Sequence, residues 1–163
     1  TGGGDYCIGG SGVAIGVSGS DSWASYQLVL NGSNVGSPVS GNGSAISFGN
    51  QTAAGVYTVV ASNGNCSTSQ VGSATISITP ANTITLSSAV GTNAQLVCIN
   101  TPVTNIVYTT TGASGATFSG LPAGVTGVWS SNTVTISGTP TAYGLYNYTV
   151  TLTGGCGTVT ANG

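Results

Sequence analysis

The sequence predicts an all-β fold made of two tandem antiparallel β-sandwiches. Apolar residues alternate with Thr, Ser or Gly at a period of two, which is typical of strands with one buried and one solvated face. Turn sequences recur at short intervals, and the strong helix formers Glu, Lys, Arg and Met are all absent. Short strands separated by turns over about 80 residues indicate a β-sandwich.

The alternating segments and the turns follow one another along the whole chain. The clearest strand patterns cover residues 13–17, 76–78, 84–86, 134–136 and 150–152. Turn signals separate them at Asn31-Gly32, Asn42-Gly43, Asn63-Gly64 and Gly154-Gly155. Each segment is too short for a membrane-spanning helix, which needs about 20 apolar residues, so membrane insertion is not expected.

The chain contains an internal duplication. A Gly-x-Tyr sequence precedes a late strand in each half, and a cysteine follows that strand: Gly55, Tyr57 and Cys66 in the first, Gly144, Tyr146 and Cys156 in the second. The segment Pro80-Ala81-Asn82 separates the halves, so the sequence predicts domains at 1–81 and 82–163. The two tyrosines have a structural role, either as core side chains or as corner residues that hydrogen-bond back to the backbone.

The positions at which the two units begin and end predict that this chain is a segment of a longer array of repeats. Ser73 opens a strand seven residues after Cys66, whereas the residue seven after Cys156 is Gly163. The second unit is therefore expected to have its last strand downstream, and the first unit its N-terminal strand upstream. A missing strand would leave an unpaired sheet edge.

The four cysteines are spaced in two similar intervals. Cys66 follows Cys7 by 59 residues, and Cys156 follows Cys98 by 58. No CxxC pair and no His is present, so a zinc site is not expected. The matched spacing predicts one disulfide in each unit, Cys7–Cys66 and Cys98–Cys156. Disulfides imply an oxidising, extracellular location.

The near absence of charge excludes most chemistry. The chain has no Lys, Arg or His and only two carboxylates, whereas about a quarter of a typical domain is charged. Without cations, binding of nucleic acid or phosphate is excluded. No Ser has an activating base, and Asp5 and Asp21 are isolated, so no catalytic site, metal or cofactor is expected. Trp23 and Trp129 are expected to pack in the fold, with an aromatic sugar-binding platform as the alternative.

Several motifs resemble a known family. The second unit contains LPAGV at 121–125, VTISGTP at 134–140 (ending on Pro140) and GLYNYTV at 144–150. The first contains YCIGGSG at 6–12 and FGNQTAAG at 48–55. These motifs resemble the immunoglobulin-like repeats of giant Bacteroidetes cell-surface adhesins, including gliding-motility adhesins of the type IX secretion system.

The resemblance implies two tandem immunoglobulin-like sandwiches without catalytic residues, exported to the cell surface. Their partners would be neighbouring repeats of the same long chain, and other copies if a filament forms. The function expected is a structural stalk or filament module of a very large secreted adhesin, used in gliding or attachment. The alternative is a carbohydrate- or surface-binding module that uses exposed aromatic or hydroxyl patches. Calcium, which related cadherin-like modules bind through acidic clusters, is not expected with two isolated aspartates.

Overall fold

The computed structural model describes every residue from Thr1 to Gly163 and is all-β, with fifteen strands and no helix. No helix is therefore long and apolar enough to cross a membrane. The chain divides into two compact units, Thr1–Thr79 and Pro80–Gly163. The division lies two residues before the expected boundary.

Unit 1 contains eight strands. They are β1 Gly4–Cys7, β2 Val13–Val17, β3 Ser25–Leu30, β4 Ser33–Ser40, β5 Ile46–Gln51, β6 Gly55–Ser62, β7 Ser67–Ser69 and β8 Ala74–Thr79. One sheet has the order β1-β8-β6-β3-β4 with β7 also paired to β6, and β2 pairs with β5 in a second sheet. β1 is parallel to β8, and the other pairs are antiparallel. In immunoglobulin lettering, β8, β6, β3 and β4 lie as strands G, F, C and C′, and β2 and β5 as B and E.

The core of unit 1 is shared by both sheets. Ile15 and Ile46 from the β2–β5 pair pack with Leu28, Tyr57 and Ile76 from the larger sheet. The buried residues alternate along β6, as a period of two requires for a strand with one face on the core. The strand order and this common core give unit 1 two layers.

Unit 2 contains seven strands. They are β9 Thr83–Leu86, β10 Ile106–Thr111, β11 Gly115–Ser119, β12 Val125–Ser130, β13 Thr133–Gly138, β14 Thr149–Thr153 and β15 Thr160–Asn162. The sheets have the orders β12-β13-β10-β9 and β11-β14-β15. In chain order these are strands D-E-B-A and C-F-G, the arrangement of an immunoglobulin constant-type domain. Val134, Ile136 and Val150, from the two sheets, are fully buried together in one core.

The expectation that unit 2 lacks its last strand is wrong. β15 pairs with β14 from Thr149–Asn162 to Thr151–Thr160, so strand G lies within the chain. It starts four residues after Cys156, whereas the corresponding β8 starts eight residues after Cys66. The spacing between the cysteine and strand G in unit 1 is therefore longer than in unit 2, and applying it to unit 2 put the expected strand too far downstream. Unit 1 likewise has an N-terminal strand of its own, because β1 pairs with β8.

Two hairpin turns show how local sequence sets the strand register. Asn31 and Gly32 join β3 to β4 with φ of 47° and 88°, the left-handed pair that a type I′ turn requires. Ser131 and Asn132 join β12 to β13 with φ of 48° and 61°. The first turn is predicted by its Asn-Gly pair. The second has no glycine, and so carries no such signal.

Candidate functional site

The cysteines of unit 1 lie at opposite ends of that unit. We call the end where strand F begins the lower end of a unit, and the end where it finishes the upper end. Cys7 pairs with Thr79, beyond the Gly55–Ile76 pair at the start of β6, and so lies at the lower end. Cys66 follows Ser62, the last residue of β6, at the upper end. Eight strand residues span roughly 26 Å, whereas bridged Cα atoms lie within about 7 Å.

The cysteines of unit 2 are separated in the same way. Cys98 precedes β10 in a segment whose Asn100 N–H donates to the Pro140 carbonyl at 2.9 Å, beside the end of β13. Cys156 lies beyond the other end of β10, because its N–H donates to the Pro80 carbonyl at 3.1 Å and the next strand begins at Thr83, which pairs with Thr111. Cys98 is therefore at the lower end of unit 2 and Cys156 at the upper end.

The predicted disulfide pairing is wrong. Cys7 and Cys156 are the disulfide-bonded cysteines, and Cys66 and Cys98 are exposed free thiols. Neither Cys7–Cys66 nor Cys98–Cys156 forms, because each of those pairs is separated by the length of its own unit. The equal spacing reflects equivalent positions in the two units: Cys7 and Cys98 precede strand B, and Cys66 and Cys156 follow strand F.

Asn82 holds the loop that carries Cys156. Its side chain is 5% exposed, and its amide donates to the carbonyls of Gly154 and Gly157 at 2.7 and 2.9 Å. Its backbone N–H donates to the Cys156 carbonyl at 2.9 Å. The Asn82 Oδ1 atom is buried without a hydrogen-bond partner, so the side chain acts as a donor only. Asn82 therefore positions the backbone around the disulfide-bonded cysteine of unit 2.

The LPAG and GTP motifs build the lower end of unit 2. The Thr139 N–H donates to the Gly124 carbonyl, and the Thr141 N–H donates to the Ala123 carbonyl, both at 2.9 Å. Gly124 has a φ of +86°, and a Cβ there would lie 2.1 Å from the Thr139 carbonyl oxygen, so only glycine fits. Pro140 is buried between these contacts and the segment that carries Cys98. The two motifs thus position the lower-end loops.

The two predicted corner tyrosines differ. The Tyr57 side chain is 2% exposed. Its hydroxyl donates to the Ala53 carbonyl at 2.8 Å, which is the geometry of a corner residue. Tyr146 is 38% exposed, and its hydroxyl lies 3.5 Å from the Tyr143 carbonyl, at the limit of a hydrogen bond. Tyr148 takes the buried position instead.

Tyr148 forms a buried pair that sequence analysis missed. Its hydroxyl lies 2.9 Å from that of Tyr108 in the core of unit 2. Burial, and then the hydrogen bond with Tyr108, raise the pKa of Tyr148 above its ordinary value. A period of two places Tyr148 on the same face as the core residue Val150 and could have marked it as buried, although the same alternation includes Tyr146, which is 38% exposed.

The two predicted glycines occupy different surroundings. Gly55 has a φ of +141°, and a Cβ there would lie 2.6 Å from the Asn31 side-chain amide and 2.7 Å from Leu30. The Asn31 Oδ1 atom accepts a hydrogen bond from Val56 N–H at 3.0 Å, which joins the start of strand F to the Asn31-Gly32 turn. Gly144 is exposed, with a φ of +148°.

The two tryptophans also differ in exposure. Trp129 packs against the core of unit 2, and its indole N–H donates to the hydroxyl of buried Thr110 at 3.0 Å. Trp23, in the connection between β2 and β3, is 68% exposed. Ser25, which follows it closely, pairs with Ser62 at the end of strand F. Trp23 therefore belongs to the upper end of unit 1, the end that carries Cys66.

The surface depressions contain no chemically reactive set of side chains. One of about 100 Å³ is lined in part by Ile15, Tyr57 and Val71, and a second of about 340 Å³ is lined in part by Ala14, Val17 and Ile46. Neither includes a carboxylate or a thiol. No three His, Cys, Asp or Glu side chains come together anywhere in the chain.

Comparisons with known proteins give structural neighbours alone. No protein-family model and no curated protein matches the sequence. The chain is similar to a chimeric titin Z1Z2-Z1Z2 tandem functionalised with a GRGDS peptide from fibronectin, at 16% identity, 92% coverage of this chain, 86% of that chain and a TM-score of 0.40. A titin A168169 structure matches at 14% identity, with 92% and 86% coverage and a TM-score of 0.37. Extracellular domains 3–5 of Drosophila OTK match at 12% identity, with 98% and 61% coverage and a TM-score of 0.32. The function of this chain is therefore inferred from its own residues.

Proposed function

We propose that this chain is a structural repeat module, two tandem immunoglobulin-like sandwiches in the stalk of a large exported cell-surface adhesin. The strand order of the two units supports this most directly: F, G and C share one sheet in each, and each unit has a filled core. Such a fold gives a stable spacer, and the chain contains no cluster of groups that could carry out a reaction. We also propose that the chain is not an enzyme.

The near absence of charge suits a surface-exposed spacer. With no Lys, Arg or His, side-chain salt bridges cannot contribute to stability, so salt has little electrostatic interaction to screen. The disulfide-bonded Cys7 and Cys156 favour an oxidising location outside the cytoplasm. The LPAG, SGTP and GLYNYTV motifs support the finer proposal of an adhesin of the gliding-motility type, through their resemblance to those repeats.

Single-molecule stretching tests the structural role. With the cysteines reduced, pulling on the two termini should give two abrupt unfolding events. Each should release about 80 residues, or roughly 280 Å at full extension. The cysteines are reduced because a disulfide would shorten the length of chain that unfolding releases. Smooth extension of the reduced chain at low force would contradict the proposed role.

A second candidate function is carbohydrate binding, and the exposure of Trp23 is the observation that favours it. An indole face that is open to solvent can stack on a sugar ring. A glycan array should distinguish the two functions. Binding that Trp23→Ala abolishes, and that Trp129→Phe leaves unchanged, would identify a sugar site; no binding at high density is expected for a spacer.

A further inference from the structure

We propose that the lower end of unit 2 docks on the upper end of unit 1 of a second copy of this sequence, and that Cys98 and Cys66 then form a disulfide. This inference rests on the proposed structural role of the chain, to which it adds a means of linear assembly. The contact joins two different surfaces. Such a contact can repeat without closing on itself and so builds an open chain of copies.

The positions of the four cysteines carry the proposal. Each unit has one cysteine before strand B at its lower end and one after strand F at its upper end. The disulfide-bonded cysteines are one of each kind, Cys7 before a strand B and Cys156 after a strand F. The free thiols are again one of each kind, Cys98 before a strand B and Cys66 after a strand F. The lower end of unit 2 and the upper end of unit 1 thus each present one exposed free thiol, the first before a strand B and the second after a strand F.

The same two ends expose large apolar side chains. At the lower end of unit 2, the A–B and E–F connections carry four such side chains that are at least 90% exposed: Val90, Leu96, Tyr143 and Leu145. At the upper end of unit 1, the end that carries Cys66, Trp23 is 68% exposed. Covering these side chains on docking is favourable, at about 25 cal/mol per Å² of apolar surface removed from water.

Charge does not oppose the contact. The chain has no cationic side chain to desolvate, and Asp21, in the β2–β3 connection, is the one carboxylate near the upper end of unit 1. The lower end of unit 2 has no carboxylate side chain, because both aspartates belong to unit 1. Docking of two nearly neutral surfaces therefore avoids the cost of burying unpaired ions.

The covalent step is an ordinary thiol–disulfide exchange. The Cys98 thiolate attacks a small-molecule disulfide and releases one small thiol. The Cys66 thiolate then attacks the mixed disulfide and releases the second. The two protein thiols lose two protons and two electrons as the S–S bond forms, and the small disulfide is reduced to two thiols.

Mixing of two single variants tests the proposal. Cys66→Ser retains Cys98, and Cys98→Ser retains Cys66, so neither can form the proposed bond with itself. After incubation of the full chain at a few hundred micromolar in a glutathione redox buffer, non-reducing gels should show a dimer in the mixture. It should form at least tenfold faster than in either variant alone, and wild-type chain should give a ladder. Chymotryptic mapping should find Cys66 linked to Cys98; trypsin has no site, since Lys and Arg are absent.

Two further variants separate docking from chance collision. Leu96→Ser, at the lower end of unit 2, should slow formation of the mixed dimer several-fold. Val128→Ser, on strand β12 and 59% exposed, should leave the rate unchanged. Equal dimer formation in the mixture and in either variant alone, or no dimer at all, would overturn the proposal. Neither result would affect the stretching experiment, which tests the structural role separately.

Discussion

The Tyr57 hydroxyl donates a hydrogen bond to the Ala53 carbonyl at 2.8 Å, and so ties strand F of unit 1 to the residue four positions earlier. The E–F connection must reverse the chain over residues 52–54. A buried hydroxyl without a hydrogen-bond partner would cost free energy. The bond from Tyr57 to Ala53 therefore favours this one conformation of the E–F connection.

Tyr57→Phe should destabilise unit 1 by about 1 kcal/mol, because it leaves the Ala53 carbonyl without its donor while retaining the ring in the core. Urea denaturation followed by fluorescence would measure the change. The matched control is Tyr146→Phe, whose hydroxyl makes a contact at the 3.5 Å limit and should change stability by less than about 0.5 kcal/mol. Equal effects of the two substitutions would show that the Tyr57 bond adds nothing.

The cysteines should fall into two classes in stability measurements. Cys7→Ser and Cys156→Ser each remove a disulfide-bonded cysteine, and loss of a native disulfide typically costs about 2 to 5 kcal/mol. Both should lower the melting temperature by several degrees under oxidising conditions. Cys66→Ser and Cys98→Ser replace exposed free thiols and should leave it unchanged. A fall with Cys66→Ser as large as that with Cys7→Ser would contradict the assignment of Cys66 as a free thiol.

The strands were predictable because their signal is local. A buried face with a period of two identifies β2, β8, β13 and β14, and Asn31-Gly32 identifies the turn from β3 to β4. The disulfide was not predictable, because equal spacing shows that positions are equivalent without showing the end of the unit at which each lies. That information is in the strand order: the parallel pairing of β1 with β8 places Cys7 at the lower end.

Asn82→Ala should destabilise unit 2 by about 2 to 3 kcal/mol. It removes two hydrogen bonds to the carbonyls of Gly154 and Gly157 in a site that is 5% exposed. Differential scanning calorimetry should show a lower melting transition for unit 2, with unit 1 unchanged. Asn105→Ala, at an exposed position of the same unit, is the control. No shift with Asn82→Ala would mean that the loop around Cys156 is held by its backbone alone.

High pH should destabilise unit 2 through Tyr148. Burial and the hydrogen bond with Tyr108 raise the pKa of Tyr148 in the folded state, whereas in the unfolded chain a tyrosine titrates near 10. The neutral form is thus favoured by folding. The stabilisation is complete below about pH 10 and is lost as the pH rises above that value, at about 1.4 kcal/mol per pH unit for one proton. Tyr57, whose pKa is also raised by burial, should contribute in unit 1 with the same sign.

Urea denaturation at intervals from pH 8 to 11.5 would measure this loss. The Cys66→Ser, Cys98→Ser double variant is the suitable background, because it removes the free thiols that could exchange with the disulfide. Adding Tyr148→Phe should lower the stability of unit 2 at pH 8, since Tyr108 loses its partner, and should make its dependence on pH above 10 less steep. Tyr143→Phe, at a side chain 91% exposed, should leave the curve as it was. An equally steep fall in the Tyr148→Phe variant would show that another group controls the alkaline transition of unit 2.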